Sequence, residues 1–171
     1  ALALARRLPA LGLQPGEHVG IVADMHPDFL EMFYACQYGG YVAVPLPVVS
    51  GLGGRLGYEQ QLLKIFENSA IQLVTTPDSL LETLKRVAGN LPPERLLTVS
   101  ALREKAPSTA VLQPLEKESI SHIQFSSGST RFPLGVEISQ QALMANARSI
   151  GKDALMVRPD DRVASWLPFY H

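Results

Sequence analysis

The chain has 171 residues, 46% of them hydrophobic and 18% charged, with a formal net charge of -1. That length fits one compact domain, or one and a part, and the composition excludes extended disorder. The near-zero charge provides no field that would gather nucleic acid or an anionic membrane, so neither is expected as a partner. Cys36 is the single cysteine, which excludes an intramolecular disulfide and a cysteine-based metal cluster. Within the apolar run Phe33-Tyr34-Ala35-Cys36 it reads as a packing residue, and it fits a reducing, cytoplasmic compartment. No uninterrupted apolar run approaches about 18 residues, so no transmembrane segment is expected.

Leu2, Leu4, Leu8 and Leu11 recur at helical spacings up to Gly12, which reads as a helix with a glycine stop. Its charges, Arg6 and Arg7, follow the apolar residues and no initiator Met precedes them. This argues for a helix entered partway rather than a signal peptide, with both arginines on a solvated face. Leu13 to Glu17 is a turn around Pro15-Gly16. His18 to Ala23 is a short apolar run suited to a strand buried on both faces. Pro27 is well placed to open a helix that carries Phe29, Leu30, Phe33 and Tyr34 and ends at Gly39-Gly40. Tyr41 to Val44 is a second strand, closed by Pro45 and Pro47, and a Gly-rich loop over Ser50 to Gly54 follows.

Tyr58 to Asn68 carries Leu62, Leu63 and Phe66 at helical spacing, and Ile71 to Thr75 is a third strand. Pro77-Asp78 opens another helix reaching about Val87. The stretch from Gly89 to Pro114 is richer in Pro and Ser, with a strand at Leu96 to Val99, and residues 89–118 read as a connection between lobes. Such alternation argues for an α/β fold, a mainly parallel sheet flanked by helices. In such sheets ligands sit beyond the carboxyl ends of the strands. The apolar, aromatic end Trp166-Leu167-Pro168-Phe169-Tyr170-His171 is unlike a solvated terminus, so a piece of a longer protein is expected.

His122-Ile123-Gln124-Phe125 reads as a strand that runs into Ser126-Ser127-Gly128-Ser129-Thr130. A short strand over Arg131 to Val136 and a helix from Ser139 to Lys152 follow. Gly128 lets the backbone turn tightly, and the hydroxyls of Ser126, Ser127, Ser129 and Thr130 add donors. Together they would form a concave nest suited to phosphate oxygens, with Arg131 beside it as a cation. A plain Ser/Gly connector explains the same residues, and both readings stand on this segment alone. Gly-x-x-x-x-Gly-Lys-[Ser/Thr] is absent, as is a Gly-x-Gly-x-x-Gly after an early strand, which disfavours P-loop and dinucleotide folds. His18, His26 and His122 have no ligand-like spacing, and no metal site is assigned. Asp160-Asp161 after Pro159 reads as a solvated turn.

Phe125-Ser-Ser-Gly-Ser-Thr-Arg-Phe-Pro-Leu-Gly-Val136 resembles the phosphate loop of the acyl-adenylate-forming superfamily. Ser165-Trp-Leu-Pro-Phe-Tyr-His171 is similar to that superfamily's aromatic–His motif beside the acyl pocket, in a form closest to the fatty acyl-AMP ligases. Pro15 to Ile21 and Ala35 to Pro47 resemble two earlier passages of the family, so the likeness covers nearly the whole chain in order. The resemblance implies a truncated N-terminal adenylation domain over 1–171. In the parent protein, a fatty acid would attack the α-phosphate of Mg²⁺-bound ATP to give an acyl-adenylate and pyrophosphate. The acyl group would then pass to an acyl carrier protein or polyketide synthase module.

On this likeness Ser126, Ser127, Gly128, Ser129, Thr130 and Arg131 would hold phosphates, and Trp166, Tyr170 and His171 would wall the acyl pocket. For His171 the other reading is a packed aromatic-cluster histidine. No catalytic residue is assigned, because the family's adenine-binding motifs and catalytic lysine lie further along, and this stretch by itself is expected to be inactive. Two positions depart from the family: Arg131 stands where Gly is usual, and Leu134 where Lys is usual. Losing that Lys removes a cation near the pyrophosphate, worth roughly 1.5–3 kcal/mol as a charged hydrogen bond, and Arg131 is the nearest substitute. The alternatives are an acyl-CoA synthetase, an amino-acid adenylation domain, or an α/β binding module without adenylation chemistry.

Overall fold

Three short apolar runs, His18–Val22 (β1), Val42–Leu46 (β2) and Ile71–Thr76 (β3), lie side by side and are almost wholly buried. The computed structural model describes residues 1–48, 54–89, 91–125, 134–162 and 164. Around the three central strands the sheet is completed by Leu96–Thr98 (β4), Ile120–Phe125 (β5) and Gly135–Ser139 (β6), in the order β4-β3-β1-β2-β5-β6. All neighbours run parallel except the β5–β6 pair. β1 pairs with β2 over five registers, from His18↔Val42 to Val22↔Leu46. The expected mainly parallel α/β sheet is what the structure has.

Alternation along the strands builds two cores, because successive side chains point to opposite faces. On one face Val19, Ile21, Ala43 and Leu73 pack with Leu2–Ala5 (α1), Pro27–Gly39 (α2) and Val99–Glu104 (α5). On the other, Val22, Val42, Val44, Leu46 and Val74 pack with Gly54–Ser69 (α3) and Asp78–Val87 (α4). Burying each such aliphatic side chain is worth about 1.5–3 kcal/mol, so these layers fix where the strand ends point. Cys36 is fully buried in the α2 layer, and that burial pushes its thiol pKa up, which keeps it protonated and inert.

Local signals explain the element ends. Pro27 sits in the first turn of α2 behind His26, whose ring accepts a hydrogen bond from the Asp28 amide at 3.2 Å. Gly40 ends that helix at φ 77, and a Cβ there would collide with the Gln113 carbonyl oxygen, so only glycine fits. Between residues 89 and 118, β4 extends the sheet and α5 follows it. Thr98 caps α5 by accepting from the Ala101 amide at 3.1 Å.

Several expectations needed adjustment. The first helix is only α1 followed by a 3-10 turn at Pro9–Leu11. β2 continues through Pro45, because Leu46 extends the β1 ladder with its carbonyl accepting from the Ala23 amide at 2.8 Å. The last helix among the described residues is α6, Gln140–Arg148, which widens into a π turn at Ser149–Ala154. Arg6 is exposed, but Arg7 is half-buried and ties α1 to α5, donating to the Ala3 carbonyl at 2.6 Å and the Arg103 carbonyl at 3.1 Å.

Candidate functional site

β5 and β6 form an antiparallel pair that closes on Phe125↔Gly135. The serine- and glycine-rich segment is the connection between those two residues. β5 also lies parallel to β2, with Ala43 opposite His122, so this connection starts at the carboxyl edge of the sheet. Ser126, Ser127, Gly128, Ser129, Thr130 and Arg131 themselves lie outside the described residues. What the structure describes is the frame that holds their two ends. Gly135 is required there by close approach: a Cβ would stand 2.9 Å from Ile123 Cγ2 and 3.0 Å from the Phe125 ring. Leu134, at the family's usual Lys position, is 66% exposed, so its side chain faces water at the exit of the connection.

β5 is held from behind by a polar cluster that sequence reasoning missed. Ser121 is fully buried and its Oγ donates to Gln37 Oε1 at 2.9 Å, while Gln37 Nε2 donates to the Ser121 carbonyl at 3.2 Å. Ser121 Oγ also lies 3.2 Å from His122 Nδ1, and the His122 ring meets Phe33 edge-on at 5.5 Å between centroids. Burial holds the His122 pKa below its ordinary value of 6.5, so the ring is neutral near neutral pH. The reciprocal Gln37–Ser121 pair fixes β5 against α2 just before the strand enters the connection. The available signal was a glutamine on the apolar side of a helix opposite a Ser-His pair within a strand.

The other expected positions are dispersed or outside the described residues. Trp166, Tyr170 and His171 fall in the latter group. His18 bonds the Ser69 carbonyl, His26 caps α2, and His122 packs in β5, so these three described histidines are not brought together. Among the described residues no group of three or more His, Cys, Asp or Glu side chains could hold a metal ion. Asp161 accepts from the Arg158 amide at 2.7 Å in an exposed turn, as read from the sequence. No described helix is long and apolar enough to cross a membrane.

The profile of the family described as AMP-binding enzyme matches residues 1–171. A protein of Caulobacter vibrioides (strain NA1000 / CB15N), named as a candidate acyl-CoA synthetase, is 37% identical over 100% of this chain and 30% of its own length. The long-chain-fatty-acid–AMP ligase FadD32 of Mycolicibacterium smegmatis is 33% identical over 99% of this chain and 26% of its own length. A solved structure from work on fatty acyl-adenylate ligases of E. coli and L. pneumophila superimposes with a TM-score of 0.91 at 37% identity. It covers 99% of this chain and 31% of the solved one. The chain thus spans about 30% of the length of the relatives it matches.

Proposed function

This chain belongs to the AMP-binding enzyme family, and from that premise we propose that its parent protein is a fatty acyl-AMP ligase. In this reading 1–171 is the first part of its adenylation domain. A fatty-acid carboxylate oxygen attacks the α-phosphorus of ATP, the bond to the bridging oxygen breaks, and pyrophosphate leaves. The nucleophile and the triphosphate are both anionic, so the main task of the protein is to hold them in line and offset charge.

The single observation that carries this reading is the frame just described. A serine- and glycine-rich segment is pinned at both ends by Phe125↔Gly135, at the carboxyl edge of a parallel sheet. Ligands of such sheets collect at that edge, and short hydroxyl side chains beside a glycine suit phosphate oxygens. Ser126, Ser127, Gly128, Ser129 and Thr130 would hold the β- and γ-phosphates, with Arg131 supplying the cation that Leu134 does not. These groups position and stabilise; none is a nucleophile. Mg²⁺ would arrive on the nucleotide, since it keeps several waters and binds chiefly through substrate phosphates. It would supply positive charge that offsets the repulsion between the phosphates and the carboxylate nucleophile. Trp166, Tyr170 and His171 would wall the acyl pocket.

Transfer to an acyl carrier protein or polyketide synthase module completes the proposal. Coenzyme A as acceptor is the second reading, favoured by the name of the Caulobacter relative. The test is pyrophosphate release by the full-length parent with fatty acids of graded length, followed by presentation of either acceptor. Acid-dependent release, with adenylate accumulating until carrier protein is added, supports the ligase. Discharge by coenzyme A alone supports the second reading. No release from the parent, with release restored by Leu134→Lys, identifies a phosphate loop that has lost its cation.

A further inference from the structure

The chain leaves β1 for β2 on one side and then crosses to β3 on the other, so the connections diverge at β1. Crevices form at such reversals, and here a cleft of about 220 Å³ opens between the ends of β1 and β3 and the starts of α2 and α5. It lies across β1 and β2 from β5. Its apolar floor is Ile21, Phe29 and Val99.

Thr75 forms part of the inner wall. It is 1% exposed, and among the described residues its Oγ1 has no hydrogen-bond partner. It follows Leu73 by two residues and so points to the same face, the one that also carries Ile21, Phe29 and Val99. A buried hydroxyl without a partner destabilises a fold, and valine would fill the same space without that loss. An orphan hydroxyl bordering a cleft is therefore a reason to look for a ligand.

The rim decides the sign of that ligand's charge. Ile21 and Thr75 are register partners, so Asp24 and Asp78 leave the sheet three residues beyond the same pair. Both are exposed. Asp24 Oδ1 accepts from the Met25 amide at 2.7 Å, which leaves its second oxygen, and among the described residues nothing holds Asp78. Asp28 is already paired with Arg103 at 2.6 Å and lies 3.4 Å from His26 Nδ1. At the start of α2 the first amides are occupied, Asp28 and Phe29 donating to His26, and in α4 the Leu80 amide donates to Pro77. An anion would meet these carboxylates. A cation would meet two available carboxylates above an aromatic ring.

We propose that this cleft binds a small aliphatic ammonium compound with a neutral hydroxyl at its other end. The ammonium is held by Asp24 and Asp78, the hydrocarbon rests on Phe29 and Val99, and the hydroxyl pairs with Thr75 Oγ1.

The full-length parent, labelled at isoleucine δ1 methyls, is titrated with 4-aminobutan-1-ol, n-butylammonium and butyrate. Ile21 reports the cleft, and Ile71 reports the far end of β3. The amino alcohol should shift Ile21 saturably below roughly 50 mM, a weak but specific range, with Ile71 unmoved. Butylammonium should bind more weakly and butyrate not at all. The double variant Asp24→Asn/Asp78→Asn should lose at least about tenfold in affinity, or about 1.4 kcal/mol. Thr75→Val should remove the preference for the amino alcohol over butylammonium while its thermal midpoint stays equal or rises. No saturable Ile21 shift, equal binding of butyrate, or an unchanged preference in Thr75→Val overturns the proposal. None of these readouts depends on ATP, so failure here leaves the adenylation reading untouched.

Discussion

β2 and β6 belong to one sheet but have different surroundings. All five residues of β2 are buried between helices on both faces, whereas Gly135, Val136 and Glu137 of β6 are exposed. The helices follow suit. α3 and α4 contribute Leu62, Ile65 and Leu84 to a closed core, while α6 buries none of its residues and shows Met144 at 43% exposure. Beyond it Leu155 and Met156 are 62% and 70% exposed. The parallel part is satisfied by its own contacts. The hairpin part frames the serine- and glycine-rich connection and leaves Met144, Leu155 and Met156 uncovered among the described residues.

The largest test of that contrast is a pair of truncations. Leu62→Ala should lower unfolding free energy by about 2–5 kcal/mol, and Met144→Ala by no more than about 0.5 kcal/mol, read from urea midpoints. Comparable losses would erase the distinction. Next in size is the seam between the two parts. Ser121→Ala leaves Gln37 Oε1 buried without its donor and should cost about 1–3 kcal/mol. Adding Gln37→Leu should recover part of that loss; a simple sum of the two single effects would show that the pair does not act as a unit.

Smaller still is a pH effect at the same seam. His122 is held neutral in the fold by burial, with its pKa below the ordinary 6.5. Above about 6.5 folded and unfolded states are both neutral and stability is full. As pH falls from that value towards the depressed folded pKa, the unfolded chain binds a proton that the fold does not, and stability declines. His122→Gln should flatten this slope in a pH series of urea midpoints; an unchanged slope would place its origin elsewhere. The smallest effect is expected at Arg103, which is 41% exposed and bridges Asp28 and Glu31 at 2.6 and 2.8 Å. Arg103→Met should cost at most about 1 kcal/mol, and less at high salt.

The central strands were legible because burial on both faces leaves a dense apolar signature. His18 to Ala23 and Ile71 to Thr75 fall on β1 and β3 within a residue at each end. α2 was equally plain, with Pro27 at its start and Gly40 at its stop. α5 was hidden because its single side-chain cap, Thr98, sits in a Pro/Ser-rich stretch and only six residues follow. The π turn at Ser149–Ala154 has no marker in the residue pattern. Of the candidate site, the serine- and glycine-rich segment stood out by its composition and family likeness, and its residues lie outside the described ones. The Gln37–Ser121–His122 support was not, because it joins residues 84 apart whose types are unremarkable until the fold pairs them.

ATP affinity of the full-length parent, measured beside a Thr130→Ala/Arg131→Ala variant, tests most directly whether the segment pinned by Phe125 and Gly135 holds the triphosphate. Two lost hydrogen bonds to charged oxygens, each worth roughly 1.5–3 kcal/mol, predict affinity lower by at least about tenfold with an unchanged unfolding midpoint. ATP binding equal in the two proteins would contradict the account.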